Sequence, residues 1–184
     1  MLQVGDGLSH LHMLEVAHRD LKPANILFHD SARTQLKICD FGFAIRCGQS
    51  KLKDRLGTLI YKAPELCSVN ARGNGYLGRP VDMWALGAVA YEMLHNRTAF
   101  HGNTEQDIEM RISMSGGYND LRRSLSAAAK GLLQGLMCQE VAKRMTAADV
   151  LAHPWVRAAA QAQQVHVLEM AEVAEDEDDE EAAT

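Results

Sequence analysis

Val4, Leu8 and Leu11 recur at i, i+4 and i+7, a spacing that predicts an amphipathic helix over residues 2–14. Two short apolar stretches follow, Asn25–Phe28 and Gln35–Cys39. Polar His29–Thr34 separates them, as in a small β-hairpin. Periodicity then stops, and residues 43–62 read as a long polar loop carrying Gly48, Ser50, Lys51, Lys53, Asp54, Arg55 and Gly57. Loops of that length in compact domains are usually functional or disordered. Val81–Leu94 is apolar almost all round, which predicts a buried helix, with Pro80 as its first residue. Ala127–Met137 and Thr146–Leu151 are further helix candidates. Thr146 with Asp149 three residues on resembles a capping box, and His153-Pro154 ends that helix. From Ala158 the chain turns Ala/Gln-rich and then acidic, which predicts a fraying helix and a disordered tail over 158–184.

Composition sharpens this picture in one respect. The net charge of -5 is unevenly placed, because nine of the 24 acidic residues lie between Glu169 and Glu181. The chain before them holds 15 acids against 19 bases, a mildly basic body. No Lys/Arg cluster with interleaved aromatics suggests nucleic-acid binding. No apolar run approaches the ~18 residues of a membrane span, and no signal peptide opens the chain. Cys39, Cys47, Cys67 and Cys138 lack metal-binding spacing and read as reduced thiols of an intracellular, cytoplasmic protein. His10 and His12 read as packing residues rather than ligands, and Glu175–Glu181 as a solvated run, with a basic partner or calcium the other reading.

Three motifs carry chemistry, in the order His18-Arg19-Asp20-Leu21-Lys22-Pro23-Ala24-Asn25, Asp40-Phe41-Gly42 and Ala63-Pro64-Glu65. Each is weak alone, but the three in this order, with the hairpin between the first two, are specific. Together they resemble the signature of protein kinases. The resemblance runs over residues 8–157 and implies a mainly α fold. That fold would be a kinase C-terminal lobe over residues 1–157, with a small β-hairpin at the catalytic loop and the N-terminal lobe absent. Phosphoryl transfer asks a protein mainly to position groups and neutralise charge. Asp20 suits the carboxylate that orients the acceptor hydroxyl, and Lys22 can bring an ammonium to the transferring phosphoryl group. Asn25 and Asp40 offer the oxygen ligands that Mg2+ prefers, so ATP and Mg2+ are the implied cofactors.

The resemblance extends to supporting positions. Asp82, Trp84 and Gly87 look like the buried central helix of the large lobe, where the aspartate ties down the catalytic loop. Arg144 looks like the arginine that pairs with Glu65. His18 and Phe41 match members of the hydrophobic spine, Gly42 completes its motif, and Leu27 matches the residue under the adenine ring. Lys22 and Thr58 match serine/threonine kinases, with Thr58 bonding the catalytic aspartate and lysine. Phe43 favours serine acceptors. Residues 50–65 resemble the calcium/calmodulin-dependent group, especially the calcium-dependent protein kinases. There an acidic residue, here Asp54, stands where related kinases carry an activating phosphothreonine and can hold Arg19; the alternative is a solvated loop charge. Calmodulin or calcium-linked regulation follows from the family alone.

Some expected features are missing. Ahead of His18 stands no glycine-rich loop, no VAIK-type lysine and no helix-C glutamate, so the expectation is a piece of a longer enzyme. Ala24 replaces a glutamate that binds substrate arginine in many relatives. Glu92 matches a second such glutamate or forms an internal pair. The functional expectation is transfer of the ATP γ-phosphate to a protein serine or threonine, with Arg or Lys nearby in the substrate. The competing expectations are a non-catalytic lobe serving as a docking or decoy module, and a lobe completed by another chain.

Overall fold

The computed structural model of the chain describes residues 1–67, 75–114 and 121–162. It is largely helical, with two small antiparallel sheets. Helix α1 is Leu2–Met13, close to the predicted span, and buries Val4, Gly5 and Leu8. Strand β1 (Val16–Ala17) pairs with β4 (Ile45–Arg46). Strands β2 (Ile26–Phe28) and β3 (Leu36–Ile38) form the expected hairpin, with Leu27 opposite Lys37. Asp30 closes the hairpin turn, its carboxylate accepting from the Thr34 and Gln35 N–H groups at 2.9 Å.

After α2 (Pro64–Cys67) comes the central helix α3 (Gly78–His95). It starts two residues before the predicted Pro80 start. Pro80 still lies in the first turn, where a missing N–H costs nothing. Gly78 is required there, because a Cβ would stand 2.6 Å from Ala17 Cβ and 2.8 Å from Cys47 Sγ. From Val81 to Tyr91 α3 is buried on all sides, since it serves two core clusters, while Met93 of the same predicted run is exposed. Trp84 and Tyr91 pack with Phe100, Ile112 and Leu133, while Met83 and Leu86 pack with Leu8, Leu21, Leu132 and Val150.

Helix α4 (Glu105–Ser113) was not among the expected elements. Its signals were present: Thr104 and Asp107 form a capping box, and Ile108 and Ile112 lie one helical turn apart. Helix α5 is Ala127–Leu136, and α6 is Ala147–Ala152 with the Thr146–Asp149 capping box. Residues 154–162 are helical; the predicted tail beyond 162 lies outside the described residues. Among the described residues no helix is long and apolar enough to cross a membrane, and the four cysteines are free thiols.

The stretch 43–62 is not the free loop its polarity suggested. It is tied by β4, by a bridge between Leu52 and Tyr76, and by a 3-10 turn at Leu59–Tyr61. These attachments are backbone pairings, which side-chain polarity does not report.

Candidate active site

The loop between β1 and β2 carries a dense set of polar contacts. Its conformation begins with Asp82, on the buried face of α3. One carboxylate oxygen accepts from the Arg19 N–H at 2.7 Å, the other from the His18 N–H at 2.9 Å and from His12 Nε2 at 2.9 Å. Arg19 has φ 70°, the left-handed region that costs an L-residue roughly 1–2 kcal/mol. Two charge-assisted bonds from adjacent N–H groups are enough to hold that turn. His12 is therefore more than a packing residue.

The turn presents Asp20, whose side chain is only 8% exposed. Thr58 supplies both its N–H and its hydroxyl to Oδ1, each at 2.8 Å. Lys22 Nζ donates to Oδ2 at 2.7 Å and to Thr58 Oγ1 at 3.1 Å. Burial pushes the Asp20 carboxyl up, but the bonds from Lys22 and Thr58 outweigh it and hold it below its ordinary value. Gly57 makes the approach of Thr58 possible. It has φ +101°, and a Cβ there would lie 2.6 Å from the Arg19 carbonyl.

Asn25 joins the same group, its Nδ2 donating to the Asp20 carbonyl at 2.8 Å. Its amide oxygen could then serve a cation as a ligand atom. Asp40 follows β3, and both sides of the connection are pinned: the Cys39 N–H donates to the Asn25 carbonyl at 2.9 Å, and His18 Nε2 meets the Cys39 carbonyl at 3.0 Å. Asp40 is exposed with φ 61°, and its Oδ1 accepts from the Gly42 N–H at 3.2 Å. Among the described residues no cluster of three His, Cys, Asp or Glu could hold a metal unaided. The donor set nonetheless fits Mg2+, which binds through one or two protein oxygens plus phosphate and water. His18 meets Phe41 edge-on at 5.2 Å, while Leu27 and Phe41 are half-exposed beside the site.

Two supports flank this group. Arg19 Nη1 donates to both oxygens of Asp54 at 2.7 Å, and its Nε donates to the Phe43 carbonyl at 2.6 Å. The Tyr76 hydroxyl closes the triangle, 3.2 Å from Asp54 Oδ1. Burial pushes the Asp54 carboxyl up, and the Arg19 hydrogen bonds and charge bring it below its ordinary value. Nothing in the sequence pointed to Tyr76. On the far side, Arg144 makes a two-pronged contact with Glu65 at 2.6 and 2.9 Å. It also donates to the Pro80 and Cys138 carbonyls, each at 2.9 Å, and lies 5.2 Å over the Trp84 ring. Glu92 accepts a hydrogen bond from the Tyr61 hydroxyl at 2.7 Å. Burial and then this bond push the Tyr61 pKa well up.

This geometry can be set beside known proteins. The protein kinase domain family matches residues 1–156. A probable serine/threonine-protein kinase pXi of Dictyostelium discoideum is 36% identical over 151 residues, covering 81% of this chain and 20% of that protein. Human myosin light chain kinase family member 4 is 34% identical, covering 85% and 40%. Calcium-dependent protein kinase 4 of Plasmodium berghei is 33% identical, covering 84% and 29%. The calcium-dependent protein kinase is no more similar than the first, so the comparisons do not single out that group. The chain spans between a fifth and two fifths of the length of these relatives. The family match along nearly the whole described chain makes the chain a member of the protein kinase domain family.

Proposed function

We propose that these residues form the catalytic large lobe of a serine/threonine kinase, which transfers the γ-phosphate of ATP to a protein serine or threonine. The observation that carries this reading is the three-way hold on Asp20 by the Thr58 N–H, the Thr58 hydroxyl and Lys22. Bound ATP·Mg2+ would supply the electrophilic phosphoryl group and offset charge on its oxygens. Asn25 and Asp40 are the residues to ligate that metal, with Leu27 against the base. Asp20, kept ionised, accepts a hydrogen bond from the substrate hydroxyl and aims its oxygen. A carboxylate held below its ordinary pKa is a weak base, so its main contribution is orientation, with the proton arriving late. Lys22 holds Asp20 in place and can offer its ammonium to the oxygens of the transferring group.

Asp54 occupies the place of an activating phosphate, a single charge against about -1.5 to -2 for a phosphoryl group. Its bonds to Arg19 support a lobe ordered without phosphorylation. The name of one relative, a calcium-dependent protein kinase, supports calcium-linked regulation of the whole protein. Glu92 is a candidate for holding substrate arginine, in competition with Tyr61. An intracellular, cytoplasmic location agrees with four free thiols. The test is a chimera joining this chain to the small lobe of a related kinase, incubated with Mg-ATP and a mixed Ser, Thr and Tyr peptide library. Label on serine and threonine is expected; label on tyrosine, or none in a folded chimera, would overturn the reading.

A further inference from the structure

Away from the Asp20 group, the molecule has a cavity of about 470 Å³ between the end of α1, the turn at Gly48–Gln49, the start of α3 and residues 141–148. That volume is within the range that holds drug-sized ligands. Its walls are mostly apolar, with Met13, Met83, Val141 and Met145 among them, and no Asp or Glu lines it. The charge it presents is Arg79. That guanidinium reaches the His12 carbonyl only at 3.5 Å and the Gly48 carbonyl at 3.4 Å, both long for hydrogen bonds. Arg144, the other cation in the wall, is already taken by Glu65 and two carbonyls. The carboxylate behind the wall, Asp82, is engaged by His12, His18 and Arg19. An apolar chamber with one under-used guanidinium and no internal acid suits a ligand with an apolar body and a single carboxylate.

We infer that this cavity binds a small amphipathic monocarboxylate, with its anion on Arg79 and its apolar body against Met83 and Met145. One wall residue, His12, bonds Asp82, which holds the His18 and Arg19 N–H groups. Occupancy is therefore felt at the catalytic loop. The binding claim does not rest on kinase activity, so it can fail or stand separately from the proposed function.

The test is a titration of the full chain, labelled at its methionine methyls and backbone amides, with decanoate below its micelle concentration. Decanol and decylammonium serve as uncharged and cationic counterparts. Decanoate is expected to shift the Met13, Met83 and Met145 methyls and the His18 and Arg19 amides. The exposed Met93, Met110 and Met114 should stay in place. Arg79→Met should weaken decanoate roughly tenfold, the loss expected for a hydrogen bond to a charged group, while leaving decanol unchanged. Ala142→Trp, on the exposed rim, should block both and leave the circular dichroism intact. Equal binding of decanol and decanoate, or shifts confined to other surfaces, would overturn the inference. So would displacement of the same methyls by deletion of residues 163–184 without any probe, because the occupant would then be the chain's own acidic segment.

Discussion

Glu65→Ala is the sharpest single perturbation of the fold. The Arg144 side chain is wholly inaccessible and Glu65 is 17% exposed, so removing the carboxylate leaves a guanidinium inside the molecule with only the Pro80 and Cys138 carbonyls. Two charge-assisted bonds are lost, each about 1.5–3 kcal/mol when the group left behind cannot reach water. Breaking one side of a buried pair costs about 3–5 kcal/mol. The two routes converge near 4 kcal/mol, a large share of the ~5–15 kcal/mol typical of a domain. Urea unfolding of the 184-residue chain would read it. With a slope of about 2 kcal/mol per molar, the midpoint should fall by about 2 M. The double variant Glu65→Leu, Arg144→Met should recover at least half, because it leaves no charge behind and the methionine can still pack on Trp84. A loss under about 1 kcal/mol for Glu65→Ala, on the scale of an exposed pair, would refute the claim that this contact is buried and structural.

Three further outcomes are expected. Glu15→Gly should stabilise the chain by about 0.5–1 kcal/mol in the same assay. Glu15 is exposed at φ 60°, and the cost of that conformation exceeds the entropy a glycine adds to the unfolded chain; destabilisation would contradict this. Asp20 has a folded pKa below its ordinary 3.8, so its contribution is fully present above 3.8 and disappears as pH falls through the lowered value. The urea midpoints of the wild-type chain and of Asp20→Asn should therefore draw together in acid; a gap unchanged by pH would contradict it. Asp54→Ala, in the chimera, should lower kcat, because Arg19, whose side chain is only 6% exposed, loses the carboxylate that holds it. Unchanged turnover would make Asp54 a plain loop charge.

What the sequence revealed follows from what each signal measures. Helices α1, α3 and α5 were legible because a periodic or unbroken apolar pattern reports burial. The hairpin was legible because polar residues interrupt two apolar runs. Helix α4 was missed although Thr104 and Asp107 mark its start, because its mean composition is polar and only Ile112 is buried. At the site, Asp20, Lys22, Asn25 and Thr58 were named from motifs, and the structure bonds Lys22 and Thr58 to the Asp20 carboxylate and Asn25 to the Asp20 carbonyl. The hold of Tyr76 on Arg19 and Asp54 was invisible, since it depends on a long-range bridge between Leu52 and Tyr76. His12 was read as packing, because a histidine one residue from the end of α1 gives no sign of a carboxylate 70 residues away.

The central claim is that the held Asp20 carboxylate aims the acceptor hydroxyl for phosphoryl transfer. Its most direct test is the single-turnover rate from Mg-ATP to a serine peptide in the chimera, compared between wild type and Asp20→Asn, with nucleotide binding measured alongside. The amide keeps the shape but loses the acceptor charge, so the rate should fall by about 10²–10⁴-fold with ATP affinity nearly unchanged. A rate within a few-fold of wild type in Asp20→Asn would contradict the account.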